Sequence, residues 1–446
     1  MLTPPMTRYN LHHNVKSPAP LKHNLHHNVK SPAPLKPMNN ADLIVATLKA
    51  AGIDRGFGIP SGNVLPLMEA MRAGGIDFVL TAHEGSAGFA ADVSGRMTGR
   101  PGLCIATLGP GATNLATGVG CAYLDRSPLI AITCNLNTDQ LGRRIQMWID
   151  HHALFAPITK ATFRLENGRI AQTVQDAICT ALAEPRGPVH LDLPEDVALA
   201  PAQEKIAQSL NPPIIPVARD AEIKRAGQLI VAARRPIAVL GSSAMRINSP
   251  DRLCDVVERH GLPFATTTMA KGMIDEDHPL AIGCIERACR QLQRRLLRSA
   301  DLIVGIGYDT VEVEYEAWIG GVPLLHIDIE AADVAPAVKL VHQVIGDIDA
   351  ALAQLAAMPA AAGRWPPAAL ADHRRSFQMA LRPIPRRNRQ LSRPMRRSML
   401  YAGLYRAEAF CRCRRLLVAV ICLRCSSLCS SNPIINAAVR TWPLMT

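Results

Sequence analysis

The stretch HEGSAGFAADVSGRMTG, residues 83–99, sets one carboxylate, Glu84, at the mouth of a helical pattern otherwise rich in Gly, Ala and Ser. A carboxyl group among small apolar neighbours is partly desolvated, which raises its pKa and suits it to sharing a proton near neutral pH. The position equally fits a plain helix-start carboxylate, because the helix macrodipole favours negative charge there. Two glycine-rich turns bracket it in the chain, GIPSGN at residues 58–63 and GPGATN at residues 109–114. Gly62, Gly109 and Gly111 can let the backbone approach a flat ligand, or serve only as tight turns.

These residues need elements to hold them. From Ala41 to about Pro194 short apolar runs alternate with helical patterns: GFGIP, PLMEAMRAG, DFVLTA, GSAGFAADVSGRM, GLCIATLG, ATNLATGVGCAYLD and PLIAITC. Strand and helix alternating at this spacing predict a parallel sheet covered by helices, with PVHLDLP at 188–194 as its closing strand. Ligands of such sheets bind outside the carboxyl ends of strands, and GIPSGN, AHEG and GPGATN are loops of that kind. After the Pro-rich NPPIIP, residues 211–216, a second alternating unit follows with strands in RPIAVLGSSAM, LPFATTTMAKG, ADLIVGIGYD and VPLLHIDIE. It has the rhythm of a nucleotide-binding fold without a GxGxxG fingerprint. The predicted class is α/β with two doubly wound parallel-sheet domains, the second Rossmann-like. The segments are a disordered linker at 1–40, domains at 41–200 and 211–365, and an irregular tail at 382–446.

The formal charge of +12 belongs to the tail. From Arg382 onward there are thirteen Arg, no Lys and one acid, Glu408, which leaves 36 basic and 36 acidic side chains in the rest. The body is therefore neutral, and no nucleic-acid or membrane partner is expected of it. The polar opening predicts no secretory leader, and LLVAVICL in the tail is far short of the ~20 apolar residues a bilayer span needs. Seven scattered body cysteines read as free thiols, so the expected setting is cytoplasmic. The tandem repeat NLHHNVKSPAPLK, starting at Asn10 and Asn24, reads as duplicated linker; its His12, His13, His26 and His27 are a weak metal signal.

GFGIPSGN, HEGSAGFAADVSGRMTGRPG, ATLGPGATNLATG, AYLDRSPLIAIT and PITK, in that order, resemble the pyrimidine-binding domain of thiamine-diphosphate enzymes, specifically the acetolactate synthase group. MAKGMIDEDHPL and GIGYDTVEVEYEAW are similar to that group's central domain, and together the likeness spans roughly residues 41–365. The resemblance implies that Glu84 hydrogen-bonds the cofactor's aminopyrimidine and activates it. It places Gly62, Gly109, Gly111 and Asn114 along the pyrimidine pocket, and Gln146 and Lys160 near the substrate. The implied reaction is decarboxylation of a 2-keto acid such as pyruvate with transfer of the acyl carbanion, as in branched-chain amino acid biosynthesis, in a homodimer or higher homo-oligomer. GYD followed by VE lies closer to flavin-independent members, so the likeness does not point to FAD.

Two departures stand out. The family's Phe-Gln pair upstream of PITK falls on Gln146-Met147 or on Ile145-Gln146, which leaves the substrate open. The family's third domain, which clamps the diphosphate through Mg²⁺ with Gly-Asp-Gly and a later Asn-Asn, has no counterpart: Gly346-Asp347-Ile348 lies in the second unit and Asn39-Asn40 precedes the first. The tail carries Cys411, Cys413, Cys422, Cys425 and Cys429, with CxxC spacing only at Cys422 and Cys425. It reads best as a shift of reading frame, ahead of zinc or nucleic-acid binding. The expectation is a truncated chain with weakened cofactor binding, no metal ligands and little activity alone. The alternatives are a complementing subunit that lends Glu84 to a partner, and another lyase or decarboxylase of the same superfamily.

Overall fold

The computed structural model describes residues 37–206, 214–285, 290–309, 311, 319–360 and 365–381. The N-terminal repeat and its histidines, Cys289, most of GYDTVEVEYEAW, part of NPPIIP and the tail from Arg382 lie outside the described residues.

The first sheet comprises β1 (Arg55–Gly58), β2 (Asp77–Leu80), β3 (Gly102–Thr107), β4 (Leu129–Asn135), β5 (Ala161–Arg164) and β6 (Pro188–Pro194). Its order is β2-β1-β3-β4-β6-β5, with every pairing parallel. The helices of this unit are α1 (Asn40–Ala50), α2 (Leu65–Gly74), α3 (Glu84–Thr98), α4 (Pro110–Leu124), α5 (His151–Phe155), α6 (Ile170–Leu182) and α7 (Glu195–Leu199). β4 and β6 are buried along their whole length, as central strands covered on both faces must be.

The two faces differ in side-chain size. Leu103 and Ile105 of β3 join Leu43, Leu67, Met71, Val174 and Ile178 in an aliphatic core. Cys104 and Ala106, their period-two alternates, join Ala87, Ala91, Ala112, Leu115 and Val119 on the other face. Small residues there let α3 and α4 lie against each other: a Cβ on Gly88 would stand 2.8 Å from the Cα of Gly118.

The second sheet comprises β7 (Pro236–Leu240), β8 (Phe264–Thr266), β9 (Ala281–Cys284), β10 (Leu302–Ile306), β11 (Leu324–Asp328) and β12 (Leu340–Ile345), in the order β12-β11-β10-β7-β8-β9 and again all parallel. Its helices are α8 (Asp220–Ala232), α9 (Pro250–Arg259), α10 (Arg290–Leu297), α11 (Ile348–Ala357) and α12 (Pro367–Ala380). The order is that of a doubly wound nucleotide-binding sheet.

The α/β reading holds, with refinements. β5, β9 and β12 were not among the strands expected from sequence, because each is short and partly exposed or irregular. β6 is not an edge strand, since β5 flanks it. α12 continues past residue 365: Trp365 Nε1–H donates to the Pro236 carbonyl at 2.8 Å, and Leu370 is buried. Gly346-Asp347-Ile348 and Asn39-Asn40 are helix starts. The Asp347 side chain accepts from the Asp349 and Ala350 amides, and Asn39 forms a capping box with Asp42.

Among the described residues no helix is long and apolar enough to cross a membrane. Cys104, Cys121, Cys134, Cys179, Cys254 and Cys284 are free thiols.

Candidate functional site at the first switch point

β1 leads outward to β2 and β3 leads the opposite way to β4, so their carboxyl ends diverge at one crevice, where this class of sheet binds ligands. Glu84 is the first residue of α3, in the turn that leaves β2. The helix starts there because His83 is extended and its Nδ1 accepts the Gly85 N–H at 3.0 Å. Glu84 is buried, 9% exposed. Its Oε2 accepts from Asn114 Nδ2 at 3.0 Å. Its Oε1 faces Gly111, where an added Cβ would lie 3.5 Å from that oxygen. Beside it, the buried Thr107 Oγ1 has no hydrogen-bond partner among the described residues. The crevice thus holds a carboxylate fixed by Asn114, with Gly111 held close because a Cβ there would lie 2.8 Å from Thr107 Cγ2.

The GPGATN turn is shaped by Gly109, with φ +60° and ψ −116°, followed by Pro110 at the head of α4. A Cβ on Gly109 would meet the Met147 carbonyl oxygen at 2.3 Å. Glycine is therefore required twice over, by conformation and by close approach. Gly62 opens a short 3₁₀ turn after β1 and has no atom within 4 Å of its Cβ position. The next residue, Asn63, ties that turn down through Nδ2 to Glu195 Oε2 at 2.8 Å.

Glu84, Gly111 and Asn114 are brought together, and Gly62 and Gly109 stand at neighbouring strand exits. Gln146 is exposed, in the segment whose Met147 carbonyl lies against Gly109. Lys160 is not brought to this edge. It precedes β5, at the amino end of the sheet, and its Nζ donates to the Thr180 and Ala183 carbonyls at 2.6 Å each, which closes the end of α6. Burial there lowers its pKa below the usual lysine value. Gly85 and Gly88 serve packing: a Cβ on Gly85 would meet His83 and Asn114, and Gly88 meets Gly118.

A buried polar cluster behind the turn is absent from the sequence-based expectations. Thr133 Oγ1 lies 2.9 Å from His151 Nδ1 and 2.8 Å from His190 Nε2. His151 Nδ1 is 3.1 Å from Asp192 Oδ1, which also accepts from Asn135 Nδ2 at 2.9 Å. Thr162 Oγ1 is 2.6 Å from His190 Nδ1 and 3.0 Å from His152 Nδ1. Phe155 stacks on His190 at 4.4 Å. Burial pushes the His190 pKa down to about 3, with Asp192 pulling the other way. Burial would raise the Asp192 pKa, but the His151 hydrogen bond and the neighbouring imidazoles hold it below the usual carboxylate value. The available signal was HLD in β6, since His190 and Asp192 share one face two residues apart.

The second sheet's switch point, between β7 and β10, is closed. The Ser243 amide donates to the Gly307 carbonyl at 2.9 Å, and a Cβ on Gly307 would lie 2.2 Å from the Ala244 nitrogen. Asp309, Asp328 and Glu330 line the small remaining pocket with Tyr308, His326 and Arg126. Burial raises the Asp328 pKa to about 7. Arg126, from the first unit, pairs with Asp309 at 2.7 Å and Glu330 at 2.6 Å. In return Arg246 of the second unit pairs with Glu184 of the first at 3.1 Å. Three carboxylates at a crevice sealed by backbone do not fit the diphosphate of FAD.

A doubly wound α/β chain with a buried carboxylate and glycine turns at one switch point is, as a class, a cofactor-binding protein. The profile described as "Thiamine pyrophosphate enzyme, N-terminal TPP binding domain" matches residues 38–154, and that described as "Thiamine pyrophosphate enzyme, central domain" matches residues 223–355. A "Probable acetolactate synthase large subunit" of Methanococcus aeolicus is 34% identical over 323 residues, 70% of this chain and 53% of the relative. The "Acetolactate synthase isozyme 1 large subunit" of Escherichia coli is 32% identical over 385 residues, 84% of this chain and 66% of the relative. The "Acetolactate synthase large subunit" of Corynebacterium glutamicum is 33% identical over 328 residues, 71% of this chain and 52% of the relative. The chain belongs to the thiamine pyrophosphate enzyme family and is acetolactate synthase-like. It spans only part of the length of these relatives, 53%, 66% and 52% of them in turn.

Proposed function

We propose that this chain supplies the pyrimidine side of a thiamine-diphosphate site, with Glu84 as the group that holds the aminopyrimidine. The observation that carries the reading is the Glu84 carboxylate, fixed through Oε2 by Asn114 and with Oε1 facing Gly111. When bound, the cofactor supplies an electron sink for decarboxylation of a 2-keto acid. Glu84 would hold a proton at Oε1 for exchange with a ring nitrogen. Asn114 keeps the carboxyl from turning away. Gly111 keeps the α4 backbone close to the carboxylate, since a Cβ there would lie 2.8 Å from Thr107 Cγ2 and 3.5 Å from Glu84 Oε1. The relatives' names, acetolactate synthase large subunits, support an acetolactate-type reaction on a 2-keto acid such as pyruvate and an assembly of subunits, which we take to be a homo-oligomer, and the free thiols support a cytoplasmic setting.

Among the described residues no Mg²⁺ site of the expected kind stands beside Glu84. Among the described residues two groups could approach a metal, Cys254–Glu258–His278 and Asp92–Cys121–Asp125, and neither includes Glu84. In the second, Arg96 already pairs with both Asp92 and Asp125. We therefore assign the diphosphate clamp to residues outside those described, and expect the chain alone to be weakly active or inactive toward pyruvate.

Calorimetric titration of the full chain with thiamine diphosphate and Mg²⁺ tests the reading. Weak binding is expected, and Glu84→Gln should weaken it about tenfold, the scale of one hydrogen bond to a charged group. Equal binding by both proteins would remove Glu84 from the site. Activity that appears only after mixing with a separate diphosphate-binding domain would identify a complementing subunit, whereas efficient pyruvate turnover by the chain alone would refute the truncated reading. A wider 2-keto acid screen of the completed enzyme separates acetolactate formation from another lyase activity.

A further inference from the structure

We propose that His151 is a positioning residue: buried behind the crevice, it holds the Gly109 turn, and through that turn the Gly111 and Asn114 contacts of Glu84. Only the last step rests on the reading of Glu84 as the cofactor's carboxylate.

The proton arrangement is dictated by one donor. The Gly109 amide can only donate, and it reaches His151 Nε2 at 3.4 Å, a long hydrogen bond. Nε2 is therefore the bare nitrogen, and the proton sits on Nδ1, facing Asp192 Oδ1 at 3.1 Å and Thr133 Oγ1 at 2.9 Å. Asn135 Nδ2 also lies 3.4 Å from His151 Nδ1, but its donor is engaged by Asp192 Oδ1 at the shorter 2.9 Å, and the rest of the cluster follows from the Gly109 contact. The Thr133 hydroxyl donates to His190 Nε2, His190 Nδ1–H donates to Thr162 Oγ1, and the Thr162 hydroxyl donates to His152 Nδ1. Every link runs one way. A chain of this kind fixes a single tautomer, as a carboxylate does for a histidine whose other nitrogen has work to do.

The turn needs such an anchor. Gly109 has a backbone conformation that few residues adopt, and nothing in its own side chain can hold it. His151 is 1% exposed and stands at the first position of α5, so its ring cannot swing to solvent. The anchor links β4, β6 and α5 to the loop that faces Glu84. Asp192 acts one step further back, by keeping the proton on Nδ1.

Amide hydrogen exchange of the full chain, read on peptides covering residues 106–114, tests this with two variants. An Asn side chain reaches only as far as Nδ1, so His151→Asn keeps a partner for Asp192 and Thr133 and loses the acceptor for Gly109. A Gln side chain places an oxygen near Nε2, so His151→Gln restores that acceptor. His151→Asn should exchange about fivefold faster over this segment, the equivalent of one hydrogen bond of about 1 kcal/mol, and His151→Gln should stay near the wild-type rate. A purely structural histidine would give two variants that loosen alike, and equal exchange in all three proteins would equally overturn the proposal. Should either variant fold poorly, nitrogen-15 imidazole spectra of the wild-type chain decide the matter: protonated Nδ1 and bare Nε2 on His151 are expected, and the reverse tautomer refutes it. Thiamine-diphosphate affinity then tests the final step, with the Asn variant weaker and the Gln variant unchanged. If the wild type binds no cofactor, the functional reading falls while the exchange result still stands.

Discussion

Gly118→Ala is the sharpest test of how the carboxylate is held, because a control sits two residues away on the same helix. A Cβ at Gly118 would stand 2.6 Å from the Gly88 Cα, 2.8 Å from the Gly88 carbonyl carbon and 2.9 Å from the Gly85 oxygen. Ordinary carbon contacts begin near ~3.5 Å, so α3 and α4 must part by about 1 Å. Every obstacle is backbone, which leaves no side chain to rotate away. Overpacking of this kind costs roughly 1–3 kcal/mol, and replacing a helical glycine returns about 1 kcal/mol. The net expectation is a loss of up to about 2 kcal/mol. Gly120→Ala meets only the Ile158 Cγ2 at 3.8 Å, so it keeps the propensity gain of about 1 kcal/mol and should stabilise. Urea unfolding followed by circular dichroism, with equal slopes, measures both. The two substitutions should shift the midpoint in opposite directions. A Gly118→Ala chain as stable as Gly120→Ala would refute the close helix crossing. The separation would also carry the 3.0 Å Asn114–Glu84 bond past hydrogen-bonding distance, so cofactor affinity should fall for Gly118→Ala alone.

Burial raises the Asp328 pKa from 3.8 to about 7. Between those values the folded chain retains a proton that the unfolded chain has lost, so this group's stabilising contribution falls as pH rises from about 4 to about 7. Asp328→Asn should flatten that part of the profile in pH-dependent thermal melts; an unchanged slope would count against the shift. His190 works the other way: neutral in the fold down to about pH 3, it binds its proton in the unfolded chain below about 6.5. Its share of stability is therefore present at neutral pH and lost on acidification through that window, and His190→Phe should reduce the acid sensitivity of the urea midpoint. Arg126→Ala leaves the buried Asp309 unpaired and should cost about 3 kcal/mol. Arg126→Lys should recover only part of this, because one ammonium cannot span Asp309 and Glu330 as the guanidinium does; full recovery in differential scanning calorimetry would argue against a two-carboxylate clamp.

The central strands were legible because their apolar runs are continuous: LIAIT in β4 and LIVGI in β10 leave no alternative to burial on both faces. The loops that carry Glu84 and the two glycine turns were legible as strand exits because each follows an apolar run, but their order across the sheet, with the Glu84 loop outermost, was not. ATFR of β5 and LVHQVI of β12 were not, since their partly exposed residues give no strong pattern. The buried histidine cluster was illegible for a different reason. His190 lies 57 residues from Thr133, and only the parallel register of β4 with β6 makes them neighbours. The small residues of α3 were visible in sequence, but their purpose was not, because composition cannot tell room for a ligand from room for another helix.

The paired arginines make the two sheets poor candidates for exchange between proteins. Each unit sends one cation into carboxylates of the other, Arg126 in one direction and Arg246 in the reverse. A chimera that kept the first unit and replaced the second would strand Arg126 and leave Glu184 with Arg186 alone. A successful graft would have to carry acids at the positions of Asp309 and Glu330 and a base at that of Arg246. Charge, more than chain connectivity, therefore defines where this protein can be cut and rejoined.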